Sequence, residues 1–518
     1  MSRFEHETYL PFARDDVFAW YTRRGALTRL HPPFAGEVLA EPEDGPVDGA
    51  ESRITLNLPG LFGASATAAA GLAGSVLPFS PRSRLAWHSR HEDFRPGHGF
   101  TDVMISGPMH SWRHEREFLD QGQGTLLRET ITYQHPAESR LPGPLRRRIQ
   151  HSLEQELHRV FTFRAHQTAQ DLAFHQSHSR LASQQRERRS HLDVADDACA
   201  DGPQVVAVSG ASGMIGTQVC ALLGGAGIEV RRLVRRDLSR TEAGESETGV
   251  GEIAWDPDSG QLDEQALADV DVVINLAGRP LASRFTDEHK RRVRSSRVDG
   301  TTLLAETLAH LEETSPRGRA LISGSAIGWY GATAQDRVGA AGQLTESMPS
   351  GTDFLAEVCR AWESAARRAE TSGVRVATIR TGLVQSPSGG ALQQMLPLFA
   401  VGVGGPLGGP QMQSWISLDD IAGLIVHLAL TPSARGPVNG VAPAPVTARA
   451  YARCLGAVLR RPSALPTPSF GPKLLLGAQG SRELVMADQD ASAEKALDLG
   501  YAFRHPTLEE ALRHVLGR

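Results

Sequence analysis

Gly210, Gly213 and Gly216 stand three residues apart directly after the apolar run Val205–Val208, and Ile215, Val219, Leu222 and Leu223 continue at helical spacing. A strand, a glycine turn and a helix in that order build a site for a diphosphate. Glycine permits the turn's backbone and lets a pyrophosphate come close to main-chain N–H groups at a helix start. The third glycine lets helix and strand pack tightly. Ser212, Met214 and Ile215 lie in the same turn and would add their amides. A second strand, Ile228–Val234, ends in Arg235, Arg236 and Asp237. An acid at that strand end accepts from a ribose 2′-hydroxyl, whereas a 2′-phosphate needs a cation. Arg235 stands in the acid's place, Arg236 could assist with its planar fork, and Glu229 is at the wrong end of the strand. The expected cofactor is NADP(H) rather than NAD(H), with Asp237 the residue that argues otherwise.

The alternation continues downstream. A turn is expected at Trp255–Pro257, a strand at Val270–Leu276, a helix at Ser296–Leu311 and a strand at Ala320–Ser323, followed by a helix at Phe354–Thr371 and a strand at Val374–Arg380. Strands alternating with helices predict an α/β fold, a doubly wound parallel Rossmann sheet with ligands at the strands' C-terminal ends. Asn275, Ala277, Gly278, Ser325, Tyr330 and Arg380 fall at those ends.

Before this unit lie about 175 residues of another kind. Phe4, His6, Thr8 and Leu10 alternate with Glu5, Glu7 and Tyr9 as a strand. A short helix at Arg14–Thr22 and strands at Glu51–Leu58, Arg84–His91, Phe100–Ser106, Ser111–Leu119 and Gly124–Gln134 follow. A long amphipathic helix then carries Leu145, Ile149, Leu153, Leu157, Val160 and Phe161 on one face. The predicted result is an α+β helix-grip unit, a curved antiparallel sheet around a helix with an apolar cavity between them. Residues 176–203 are polar and aperiodic and read as a linker. The expected division is therefore 1–175, a linker at 176–203, a dinucleotide-binding domain at 204–435 and a C-terminal lobe at 436–518.

The stretches GASGMIG, NLAG, SAIGWYG, RTGLV and SWISLDD, in this order, resemble the extended short-chain dehydrogenase/reductase superfamily, in its atypical branch of epimerase-family, nucleoside-diphosphate-sugar-epimerase-like proteins. The likeness spans about Gln204–Arg518 and includes that branch's C-terminal domain of unknown function, seen in GPVNGVAPAPVT and YAFRHPTLEEAL. It implies that Gly210, Gly213 and Gly216 hold the pyrophosphate, that Arg235 meets the 2′-phosphate, and that Ala277 and Gly278 line the nicotinamide loop. Ser325 takes the place of the active-site hydroxyl, Arg297 stands where relatives usually carry asparagine, and Arg380 and Thr381 follow the strand bordering the nicotinamide. The glycine-rich loop Gly402–Gly409 would shape the substrate mouth or simply be a turn. Asp420 fits the family pattern or caps a helix starting at Ile421. Residues 1–175, through GALTRLHPPF and GPMHSWRHEREF, resemble START-like, polyketide-cyclase-type domains, which implies an apolar ligand or a protein contact there.

One departure concerns the proton. The superfamily's Tyr-x-x-x-Lys pair uses lysine to lower a phenol's pKa. Here the only lysines are Lys290, Lys473 and Lys495, and the residues four before them are Thr286, Ser469 and Ala491. The expected helix reads FLAEVCRAWE, with Phe354 or Leu355 in place of tyrosine and Val358 or Cys359 in place of lysine. Three readings stay open: another acid such as Tyr330 near Ser325, a proton carried by substrate or water, or nucleotide binding without turnover. Tyr330 and Cys359 also suit packing, and Glu357 and Glu363 suit solvated or structural positions. The leading expectation is an NADP(H)-dependent oxidoreductase or epimerase of a small molecule. The alternative is a catalytically silent NADP-binding regulatory protein.

Composition sets the outer bounds. A chain of 518 residues exceeds one compact core and predicts two or three domains. A net charge of −5 argues against a nucleic-acid-binding role. The four cysteines have no ligand spacing, and His110 and His114, which share a strand face, lack a carboxylate or cysteine at ligand spacing, so no metal is expected. With neither a leader-like N-terminus nor an apolar run of about 18 residues, no membrane span and a cytoplasmic location are expected.

Overall fold

A computed structural model describes residues 1–57, 84–135, 142–190, 202–236, 251–337, 342–464 and 470–518. Leu58, Cys199 and Asp237 lie outside the described residues. The N-terminal unit is a seven-stranded antiparallel sheet of β1 (Ser2–Leu10), β2 (Gly36–Ala40), β3 (Glu51–Asn57), β4 (Arg84–Arg95), β5 (Gly99–Ser106), β6 (Ser111–Gln121) and β7 (Gly124–Gln134), in the order β1-β7-β6-β5-β4-β3-β2. The alternation in β1 is real: Phe4 and Leu10 are buried while Glu5, Glu7 and Tyr9 face solvent. Helices Arg14–Thr22 and Ala26–Leu30 follow β1. The second of these, and β2, gave no usable sequence signal because both are only five residues long.

The long helix runs Gly143–Ser190, which corrects the expected linker from 176. Two of the polar residues past 174, His175 and His178, dock on the second unit, while Gln176, Ser177, Ser179 and Arg180 are exposed. His175 Nε2 is 3.0 Å from the Leu222 carbonyl, and His178 Nε2 is 2.9 Å from His427 Nδ1. Polarity alone could not distinguish an unstructured segment from a polar interface. Deeper in the same interface, Arg29 makes paired hydrogen bonds to Asp171 at 2.8 and 2.9 Å, reaches Asp419 at 2.8 Å and donates to Gln218 at 2.7 Å. Arg504 from the C-terminal segment also donates to Asp171. Two guanidinium groups and two carboxylates balance in charge, as burial requires.

The second unit is an eight-stranded sheet ordered β11-β10-β9-β8-β12-β13-β14-β18. Its strands are β8 (Val205–Ser209), β9 (Glu229–Arg235), β10 (Glu252–Asp256), β11 (Gln261–Leu262), β12 (Val272–Asn275), β13 (Ala320–Ala326), β14 (Arg375–Thr381) and β18 (Gly436–Gly440). All neighbours are parallel except β10 with β11. The order reverses between β8 and β12, the switch point where such sheets bind ligands. Trp255 and Asp256 close β10 instead of forming a turn, because the Trp255 indole is buried against Gly300 of the helix Asp287–Thr314. The sheet also runs past the expected boundary at 435, since β18 pairs with β14.

The C-terminal lobe is a helical core in which Leu396 of the helix Gly390–Ala400, Leu455 of Ala448–Leu459 and Leu512 of Leu508–Leu516 pack together. Two small pairs tie it to the sheet, β15 (Leu383–Gln385) with β17 (Trp415–Ser417) and β16 (Met412–Gln413) with β19 (Val446–Thr447). Asp420 does not cap a helix. That helix is Leu418–Leu430, and Ser417 caps it by accepting from Asp420 N. The Asp420 carboxylate instead accepts from Tyr501 OH, Arg504 N and His505 N, pinning the C-terminal segment to this helix. Among the described residues no helix is long and apolar enough to cross a membrane.

Candidate functional site

The glycine turn after β8 has the geometry its sequence demands. Gly210 has φ +67°, and a Cβ there would lie 2.8 Å from the Leu276 carbonyl. A Cβ on Gly216 would lie 2.1 Å from Gly210 O, so the helix Met214–Gly225 sits directly on the turn. Gly213 N donates back to Gly210 O at 2.9 Å. The helix starts at Gly213 with no side-chain cap, so the first-turn amides of Met214, Ile215 and Gly216 are left for an anion. This cradle fits a dinucleotide's pyrophosphate. Ser212 lies in the exposed part of the turn.

Arg235 ends β9 with its guanidinium half-exposed, held 3.1 Å from Asp258. Arg236 follows it and donates to Glu252 at 2.9 Å. Both cations sit at the strand's C-terminal end, but each already has an acid partner that a 2′-phosphate would have to displace.

Asn275, expected to touch the cofactor, is spent internally. It is buried, its Oδ1 accepts from Ser209 Oγ, and its Nδ2 donates to Thr301 Oγ1 at 2.7 Å. Ser209 Oγ in turn accepts from the amides of Leu276 and Ala277. Asn275 therefore fixes the Ala277–Gly278 loop instead of presenting a group to a ligand. Arg297 lies over that loop, and a Cβ on Gly278 would be 3.1 Å from its guanidinium carbon. Its Nη atoms donate to the Val293 and Arg279 carbonyls, and its face meets Trp362 at 5.3 Å. Burial pulls the pKa of this guanidinium below its ordinary value.

The sheet gathers the next group by register. Ser325 on β13 is opposite Arg380 on β14, which is opposite Asn439 on β18. The helix Phe354–Ala366 lays Glu363 across this row. Ser325 Oγ donates to Glu363 Oε1 at 2.8 Å. Arg380 grips the same carboxylate through Nε at 2.8 Å and Nη2 at 3.0 Å. Arg380 Nη1 donates to Tyr330 OH at 3.2 Å, and Tyr330 OH donates to Asn439 at 2.7 Å. Burial alone would lower the Arg380 pKa, but its bonds and charge interaction with Glu363 raise it above the ordinary value.

Two expectations change here. Arg380 is 1% exposed and committed to Glu363, so its guanidinium cannot reach a cofactor. Tyr330 is also 1% exposed, packed with Ala334, Leu344 and Val441, and its phenol pKa is raised by burial. Its hydroxyl is engaged by Arg380 and Asn439. Cys359 is buried and its thiol is pushed up to about 12, so it remains protonated. Asn439 carried no signal of its own in the sequence, and Glu363, which suited a solvated or a structural position, takes the structural one. The available signal was a lone acid on the apolar face Leu355, Cys359, Trp362 and Ala366 of one helix, matched by a lone arginine in the buried strand β14.

Fold and site together define a Rossmann protein of the dinucleotide-binding class, with a buried Ser-Glu-Arg cluster at the C-terminal ends of β13 and β14. Residues 206–439 match the model of the NAD dependent epimerase/dehydratase family, and residues 467–515 match a domain of unknown function, DUF1731. The chain is 38% identical over 318 residues to epimerase family protein Mb2239 of Mycobacterium bovis, covering 61% of this chain and 98% of that protein. The chain belongs to the NAD-dependent epimerase/dehydratase family. A crystal structure described as the nucleoside-diphosphate sugar epimerase from Corynebacterium glutamicum is 30% identical, with TM-score 0.69, covering 99% of this chain and 90% of that one. The human epimerase family protein SDR39U1 (isoform 2), solved with NADPH, is 28% identical with TM-score 0.51, covering 60% of this chain and 99% of that one.

Proposed function

We propose that the protein is an NADP(H)-dependent oxidoreductase or epimerase acting on a carbinol or carbonyl of a small molecule, with Ser325 and Glu363 in place of the tyrosine–lysine pair. The observation that carries this reading is the 2.8 Å bond from Ser325 Oγ to a carboxylate that Arg380 clamps. The nicotinamide, when bound, supplies or accepts the hydride. Ser325 Oγ, its own proton on Glu363, can accept the proton of a substrate hydroxyl and pass its own to the carboxylate; reduction runs the same path backwards. The clamped Arg380 balances the carboxylate's charge. The amides of Gly210–Gly216 bind the diphosphate, and Arg235 turns from Asp258 to the 2′-phosphate. The protein is expected to act in the cytoplasm.

Purified protein given NADPH and a panel of aldehydes and ketones should oxidise the nucleotide, and Ser325→Ala should remove that activity while NADPH still binds. NADPH binding with no turnover in the wild type would instead support the second reading, a catalytically silent NADP-binding regulator. That reading draws on the burial of Ser325, which is only 4% exposed. Cofactor choice has a separate check by calorimetry. Arg235→Asp should weaken NADPH by roughly 10- to 100-fold, the worth of a charge-assisted phosphate contact, and leave NADH nearly unchanged. Equal losses for both nucleotides would remove the NADP assignment.

The N-terminal unit we read as a START-like ligand-binding module, residues 1–175, that takes an apolar molecule between its sheet and the long helix. The support is the cavity described next.

A further inference from the structure

A cavity of about 560 Å³ opens between the N-terminal sheet and the long helix. Ile54, Leu85, Trp87, Trp112, Leu157 and Phe161 make most of it apolar. Its polar residues are mostly paired with one another. Arg116 meets Asp102 at 2.6 Å and Glu129 at 3.4 Å, and His114 meets Glu129 at 3.1 Å. Arg164 is different. Its Nε donates to the Leu30 carbonyl at 3.2 Å and its guanidinium lies 5.2 Å from the Phe161 ring centroid. Among the described residues its two terminal nitrogens have no hydrogen-bond acceptor. Burial lowers the pKa of this guanidinium, an effect the nearby Glu129 only partly offsets. Arg164 is half-buried, and its two Nη donors open into a largely apolar cavity, where a ligand anion would accept from both.

We propose that this cavity binds an amphiphile whose single carboxylate is gripped by the Nη atoms of Arg164 and whose apolar body lies against Trp87, Trp112 and Phe161. The proposal rests on reading the N-terminal unit as a ligand-binding module and adds the ligand's chemical class. A planar fork matches one carboxylate through two parallel bonds. Asp102 and Glu129 at the same end would repel a dianion, which disfavours a phosphate monoester. The cavity is not closed by the N-terminal unit alone. Leu396, Leu459 and Leu516 of the C-terminal lobe complete its wall. The helix carrying Leu396 begins beside Gly389, where a Cβ would lie 2.8 Å from Met214 Sδ at the diphosphate turn. A bound acid would therefore touch the lobe that flanks the nucleotide site.

The test is titration of the full-length protein with decanoate and with decanol at pH 7.5, followed by tryptophan fluorescence and calorimetry. Decanoate should bind at least about tenfold more tightly than decanol, the minimum expected for a charge-assisted pair. Arg164→Gln should bring decanoate down to the level of decanol while decanol and NADPH binding stay as in the wild type. Equal affinity of the wild type for acid and alcohol, or no binding of either, overturns the proposal even if the variant does not fold. An unchanged acid-to-alcohol ratio in Arg164→Gln overturns it as well. NADPH binding is measured on the same samples, so failure of the nucleotide reading would show separately from failure of this one.

Discussion

Glu363→Leu is expected to cost about 3–5 kcal/mol of stability, the range for removing one partner of a buried ion pair. Arg380 would be left with 1% exposure and no carboxylate, keeping only Tyr330, the Glu346 carbonyl and the face of Trp329 at 4.0 Å. Adding Arg380→Met should recover most of the loss, because an apolar pair of similar volume needs no desolvation offset. Denaturant unfolding of the wild type, the single and the double variant measures this directly. A single variant as stable as the wild type would mean that the Glu363–Arg380 pair is not buried as described. The double variant also separates structure from chemistry: folded, able to bind NADPH, but with Ser325 lacking its carboxylate, it should not turn over. Retained turnover would remove Glu363 from the proton path.

Acid should destabilise the protein well above the carboxylate range. Burial lowers the pKa of His31 to about 3 and of His175 and His427 to about 4, from an ordinary 6.5. All three are neutral in the folded chain and titrate near 6.5 once unfolded. At these three rings alone, below pH 6.5 the unfolded chain therefore binds about three protons more than the folded one, and their stabilising effect, present above 6.5, is lost as pH falls toward 4. Linkage makes the contribution of these three rings about 4 kcal/mol per pH unit at its steepest. Melting temperatures between pH 7.5 and 5 should fall steeply, and His175→Gln, which can still donate to the Leu222 carbonyl, should reduce the slope by about one proton. A melting temperature constant over that interval contradicts the buried, neutral state of these rings.

The parts of the fold carried by local pattern were legible in the chain. The glycine turn announces itself because only glycine suits Gly210 at φ +67° with a carbonyl 2.8 Å from where Cβ would stand. The strand β7 matches its expected ends, Gly124 and Gln134, and its burial alternates without a break from Thr125 onward. What local pattern could not supply was partnership across the sheet. Arg380 and Thr381 are adjacent in sequence but point to opposite faces of β14, and only the register with Ser325 and Asn439 shows which one joins the buried cluster. Glu363 suits a solvated or a structural position in the sequence, and only its partner, 17 positions away on another element, decides for the second. The polar stretch after Phe174 misled for the same reason. Its partners, Leu222 and His427, belong to a unit that begins beyond Gln204.

The long helix Gly143–Ser190 gives the molecule a shared beam. Phe161, near its middle, seals the amphiphile cavity, while Asp171, His175 and His178 are bolted to the nucleotide-binding half. Cutting the chain after Pro203 would therefore not yield two finished pieces. The front half would keep a hollow missing Leu396, Leu459 and Leu516, and the rear half would bring Asp419 and Arg504 to water without Arg29 and Asp171. Whatever fills the hollow touches both halves at once, because Leu396, Leu459 and Leu516 share its wall with the sheet and the long helix.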